Sequence, residues 1–262
     1  MLEAAFAGTR RLYLLQGEPG TGKSDLIAKA AEEMLRKGCD VLLFHSPMDC
    51  RLLEGMAVPQ AGLGIAAVRF ADDERFKGAV AEIRVIDLNE TLLRDGAAAR
   101  ESRRGASGGA CGSERETEEL QAELDGCLEQ ATAAFRRALA IHDEWERFYI
   151  DNLNGAAADE LARRLGEALF ADRSLEKNPL KRHLFLGAAT PDGAVDFVEN
   201  LTERSARRIF LKGRPGSGKS TLLKRLLAEA ERRGFDVDVF HCGFDPDSLD
   251  MLIFPELSAA IF

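Results

Sequence analysis

The sequence predicts an α/β fold built from two related units. Three observations carry this: an internal repeat, a strand–loop–helix–strand pattern in each copy, and a glycine-rich loop at the same place in both. Residues Arg11–Ala66 align with Arg207–Phe262 at a constant offset of 196 without gaps, and 20 of the 56 positions are identical. Chance likeness between two helical stretches does not hold register through a loop, a helix, a turn and a strand, so the pattern reads as a duplicated unit.

Each copy has the same grammar. Tyr13–Leu15 and Ile209–Leu211 are short apolar runs, as buried parallel strands require. After the glycine-rich loop, Leu26, Ile27, Ala30, Ala31 and Met34 form one apolar helical stripe, and Leu222, Leu223, Leu226, Leu227 and Ala230 form its counterpart. Gly38 and Gly234 stand where a left-handed glycine ends a helix. Asp40–His45 and Asp236–His241 then read as second strands. Strand, helix and strand make a βαβ unit, which predicts parallel sheets with right-handed crossovers.

The stretch between the copies differs in character. Glu82–Asp87 is a candidate strand, and Ala97–Ser113, rich in Ala, Gly, Ser and Arg, reads as a linker. Glu114–Tyr149 and Ala156–Phe170 carry apolar residues at helical spacing and are separated by Asn152–Gly155. Two such helices predict an antiparallel helical hairpin whose apolar stripes serve structural packing rather than a lid or docking arm. The expected organisation is a first unit over 1–95, a linker over 96–113, a helical hairpin over 114–172 and a second unit over 173–262.

The two loops carry the chemistry. Gly17-Glu-Pro-Gly-Thr-Gly-Lys-Ser24 and Gly213-Arg-Pro-Gly-Ser-Gly-Lys-Ser220 both fit the phosphate-binding P-loop pattern, each after a strand and before a helix. In such a loop, glycines let the backbone turn successive N–H groups inward, and the following helix adds its positive end. The phosphate-binding residues expected are therefore Gly17, Gly20, Thr21, Gly22, Lys23 and Ser24 in the first loop. In the second they are Gly213, Pro215, Gly216, Ser217, Gly218, Lys219, Ser220 and Thr221. Lys23 and Lys219 would reach the β- and γ-phosphates of ATP, and the hydroxyls of Ser24 and Ser220 would complete a Mg²⁺ shell.

Charge ranks the loops. Glu18 and Asp25 place negative charge beside the first phosphate site, whereas Arg214 and Thr221 stand at those places in the second. The second loop is therefore expected to bind more tightly, with Lys219 as its catalytic cation. A P-loop enzyme also needs a carboxylate at the end of a neighbouring strand. Asp245 and Asp247, in the segment after the second strand of copy two, are the catalytic candidates there, although Asp-Pro-Asp-Ser is also ordinary turn chemistry. Asp87 is a weaker candidate, because Arg84 interrupts its apolar run.

Composition narrows the setting. The chain of 262 residues has 45% hydrophobic and 30% charged residues, which excludes a wholly disordered protein. Its net charge of −9 argues against general binding to nucleic acid or anionic lipid. No apolar run approaches a membrane span, and no secretory signal is evident. Five cysteines without paired spacing fit no disulfide scaffold or zinc site, so a cytoplasmic protein is expected.

Several stretches resemble the bacterial tandem P-loop ATPases, a family with no established substrate. They are Ala140–Glu146, Phe185–Pro191, Gly193–Phe197, Lys212–Thr221, His241–Asp250 and Pro255–Leu257. The resemblance covers nearly the whole chain and implies ATP binding by each loop. In the family, the strand after the Pro-Glu-Leu stretch ends in an aspartate. Ala67 takes that place in copy one, which makes it a degenerate copy, and in copy two the place falls past Phe262. The resemblance thus implies a truncated chain, with Met251–Phe254 and Ala259–Phe262 exposed or poorly packed. The function expected is Mg²⁺-dependent ATP hydrolysis. The alternatives are a kinase passing the γ-phosphate to a small molecule or nucleotide, and a nucleotide-sensing interaction protein with little turnover.

Overall fold

The computed structural model describes residues 2–68, 76, 78–89 and 114–262. The linker expected over 96–113 lies outside the described residues. The chain forms a mixed α/β structure with two five-stranded sheets and a small two-stranded one.

The first sheet begins with β1 (Arg11–Gln16) and passes through helix α2 (Lys23–Arg36) to β2 (Leu42–His45). The chain then turns back as β3 (Leu53–Val58), makes a tight 3-10 turn over Pro59–Ala61 and returns as β4 (Leu63–Val68). With β5 (Glu82–Asp87) the strand order is β2-β3-β4-β1-β5. Strand β1 runs parallel to β4 and β5, while β3 is antiparallel to both its neighbours. Helix α2 covers one face, packing Ile27 and Ala31 on Leu15, Met56 and Val58. On the other face Phe6, just past the short helix α1 (Leu2–Ala5), packs on Leu12, Leu14 and Ala66.

The second sheet repeats this design. After the short helix α5 (Val198–Thr202), strand β9 (Arg207–Ile209), helix α6 (Lys219–Arg232), β10 (Val237–His241), β11 (Leu249–Phe254), a turn over Pro255–Leu257 and β12 (Ala259–Ile261) follow in order. The helices, the third strands and the tight turns start and stop at positions related by the sequence offset of 196. The fifth strand differs: β6 (Lys181–Phe185) joins beside β10, giving the order β6-β10-β11-β12-β9. Helix α6 packs Leu222, Leu223, Leu226 and Ala230 against β10 and β11. The opposite face presents Leu184, Phe240 and Met251 to Ala5 and Phe44 of the first unit, and the two units meet there.

Three expectations are corrected. The sheets are mixed, not parallel throughout. After β2 and β10 the chain reverses through an aspartate-bearing turn, and the Pro59 and Pro255 turns then carry the fourth strand beside the first. The helical crossover therefore lands three positions from its origin, with two strands between. The segments expected to be exposed are also packed: Met251, Leu252, Phe254, Ala259, Ala260 and Ile261 are all buried, because β11 is central in its sheet, with α6 over one face and the first unit against the other.

The third correction concerns the helical region. Helix α3 (Glu114–Ile150) and helix α4 (Gly155–Phe170) are joined at Asn154, whose side chain caps α4 by accepting from Ala157 N at 3.0 Å. Helix α4 packs as expected, burying Ala162, Leu169 and Phe170 in the core under α6. Helix α3 does not pack along it. Its apolar stripe lies open, with Leu120 66%, Phe135 48% and Phe148 73% exposed. Among the described residues no helix is long and apolar enough to cross a membrane.

Candidate functional site

Both loops sit where their strands end and their helices begin, and their internal bonding matches. In the first, Lys23 Nζ donates to the carbonyl of Gly17 and, at 2.9 Å, to that of Glu18. In the second, Lys219 Nζ donates to Gly213 O at 2.7 Å and Arg214 O at 3.0 Å. Each ammonium is thus folded over the mouth of its own loop. Ser24 Oγ accepts from Leu53 N, and Ser220 Oγ accepts from Leu249 N, both at 2.9 Å. Each serine hydroxyl therefore anchors the start of the third strand and keeps its own proton and a second lone pair.

The glycines shape the cradle. Gly22 and Gly218 precede their helices in the left-handed conformation, at φ 82° and 83°, which only glycine enters without strain. A Cβ at Gly20 or Gly22 would meet nothing within 4 Å, so the first loop is open to solvent above these positions.

The second loop is covered. Glu146 on α3 accepts a hydrogen bond from Gly216 N through Oε1 at 3.0 Å. Tyr149 OH lies 3.3 Å from the Arg214 guanidinium. A Cβ at Gly216 would lie 2.5 Å from the Glu146 carbonyl oxygen, and one at Gly218 would lie 3.2 Å from Leu153. A carboxylate thus holds one of the amides that such a loop offers to phosphate. Beside it, a cavity of about 380 Å³ runs between α4 and the loop, lined by Asp159, Phe210, Lys219, Thr221 and Arg225. The buried Ser217 Oγ has no hydrogen-bond partner there.

The carboxylates of the second unit adopt the turn that their sequence also allowed. Asp245 Oδ1 accepts from Asp247 N at 3.1 Å, and Ser248 N bonds to Asp245 O at 2.9 Å. Asp49 does the same in the first unit, accepting from Arg51 N at 3.0 Å. The Arg51 guanidinium, with that amide, holds the Asp49 carboxyl down at about 2. Asp245 and Asp247 therefore belong to a reverse turn that feeds Leu249 onto Ser220. Asp87 makes the same turn contact, accepting from Asn89 N at 2.8 Å, but does so at the end of a strand that adjoins the first loop. It ends β5 opposite Gln16, the residue before Gly17, and Glu18 N bonds to Asn89 Oδ1 at 3.2 Å just beyond it. The first loop thus has a carboxylate at the end of the adjoining strand, and the second has Glu146 from a helix.

Sequence reasoning missed Glu146. The signal was faint: one glutamate among many on an amphipathic helix, with no spacing that ties it to a loop 70 residues away. His142 Nε2 lies 3.8 Å from Glu146 Oε1, and Asp143 completes a group of possible ligand atoms. Such an i, i+1, i+4 grouping is common on acidic helices, and it assigns no metal.

No protein-family model, no curated protein and no solved structure matches the chain. The functional reading therefore rests on the loops themselves.

Proposed function

We propose that the chain binds ATP at its glycine-rich loops and hydrolyses it with Mg²⁺ at the first. One observation carries this reading: Asp87 ends β5 in register with Gln16, directly beside a loop whose Gly20 and Gly22 stand open and whose Lys23 bonds to carbonyls within the loop. Lys23 would exchange its two loop carbonyls for phosphate oxygens. Ser24 has a lone pair left for a metal ion, and Asp87 stands where a carboxylate would hold the water around that ion or orient the attacking one. The magnesium ion would neutralise charge on the phosphates. Asp87→Asn is expected to keep ATP binding within about threefold while phosphate release falls at least a hundredfold. Equal hydrolysis by both proteins would refute the assignment.

A second reading, nucleotide sensing, is favoured by the covered loop. Glu146 and an incoming phosphate compete for the amide of Gly216, so ATP at the second loop would lift α3. That helix carries a long exposed apolar stripe and is suited to signal the change. Acceptor-independent phosphate release supports hydrolysis, acceptor-dependent ADP formation supports a kinase, and tight binding without turnover supports the sensor.

A further inference from the structure

Away from both loops, a cavity of about 470 Å³ lies where the two units meet. It is within the size range of small-molecule sites. The strand ends of β2 and β6 and the hairpin of β7 (Gly187–Thr190) and β8 (Gly193–Asp196) surround it. Phe44, Phe185 and Phe197 supply apolar walls, and Ala188 and Ala189 leave the room. Among the described residues no lysine or arginine lines it, unlike either glycine-rich loop.

Its polar character follows from hydrogen bonding. His45 Nδ1 lies 2.6 Å from the carbonyl oxygen of Cys50. A carbonyl only accepts, so Nδ1 carries the proton and the neutral ring keeps its lone pair on Nε2. His241 Nδ1 lies 2.6 Å from Pro246 O, so it too is the donor, and its bare Nε2 accepts from His183 Nδ1 at 2.8 Å. The proton on His183 is thereby fixed on Nδ1, leaving Nε2 as the acceptor. Burial favours this neutral ring. His45 is also held flat, stacked on Phe197 with centroids 4.8 Å apart and planes inclined by 23°. Two imidazoles in the wall therefore each keep one acceptor atom, and Glu54 adds a carboxylate at the rim.

We infer that this cavity is a binding site for a neutral or cationic heteroaromatic molecule with N–H donors, of about the size of a nucleobase. The aromatic walls take its ring, the acceptors of His45 and His183 take its N–H groups, and the lack of lysine and arginine among the described lining residues disfavours a phosphorylated ligand.

The probe is 2-aminopurine, which is fluorescent, neutral and carries an exocyclic amine. Wild-type protein is expected to quench it saturably, at a midpoint below 1 mM, with no competition from ATP and Mg²⁺. Naphthalene, of similar size without donors, should bind at least tenfold more weakly. Ala188→Leu, which fills the cavity, should abolish quenching, and His183→Phe should weaken it about tenfold. Should either variant fold poorly, carbethoxylation of the wild type decides: the probe should protect His45 and His183 while leaving His142 reactive. Lack of saturable quenching, displacement by ATP, or histidine reactivity unchanged by the probe would each overturn the inference. Because the probe has no phosphate, failure here leaves the loop reading untouched.

Discussion

The contact between Glu146 and Gly216 sets a measurable threshold for the second loop. A hydrogen bond from an amide to a carboxylate contributes about 1.5–3 kcal/mol. The Glu146 side chain is 30% exposed, so water screens it and a value just below that range applies, about 1.4 kcal/mol or tenfold in affinity. A nucleotide must break this bond before it can take the amide. Glu146→Ala is therefore expected to raise the ATP affinity of the second loop about tenfold. Glu146→Gln, which keeps an acceptor oxygen without the charge, should give about threefold. The assay is titration with a fluorescent ATP analogue in a Lys23→Ala background, so that only the second loop responds. Hydrogen exchange in α3 should rise along the same titration. Unchanged or weaker affinity in Glu146→Ala would refute the competition and leave Glu146 as a plain packing contact.

Three further outcomes are expected. Gly216→Ala should destabilise the protein more than Gly20→Ala: both residues have positive φ, at 75° and 83°, but only the former Cβ meets α3, and paired thermal melts isolate the difference. Ser220→Ala leaves the Leu249 amide without its acceptor, at a cost of about 1–2 kcal/mol, which should lower Tm by about 2–8 °C. Third, burial, followed by the neighbouring His241, lowers the pKa of His183 below its ordinary value. Its contribution to stability is then complete above about pH 6.5 and is lost as pH falls through the lower folded value. Melts from pH 7.5 to 5 should show this loss, and His183→Asn should flatten it.

Much of the fold was legible in the sequence because the repeat tests itself. A helix that starts at Lys23 in one copy starts at Lys219 in the other, and the glycines before both adopt the same backbone. The third strand was missed. Leu53-Glu-Gly-Met-Ala-Val58 breaks alternation with Gly55, whose absent side chain makes room for Phe44. Its counterpart, Leu249–Phe254, is buried on both faces and so shows no period of two. The mistaken sheet direction follows from that omission, since without β3 and β11 the crossover has nowhere to land but beside its own start. The charge ranking of the loops rests on residues inside them, such as Glu18 and Arg214. Glu146 reaches the second loop only through tertiary packing, and sequence pattern holds no record of that meeting.

The fifth strands have a consequence for how the molecule divides. Strands β5 and β6 both come from the stretch between the repeats, one added beside β1 and the other beside β10. A chain cut between residues 90 and 113 would leave two fragments that each retain five strands, a loop and its helix. A cut placed at the start of the second repeat instead, just before Arg207, would strip β6 from its sheet and α4 from its core. The natural seam of the protein therefore lies well upstream of the point where its sequence begins to repeat. Fragments divided at that seam are suited to reassemble through the contact of Ala5 and Phe44 with Leu184, Phe240 and Met251.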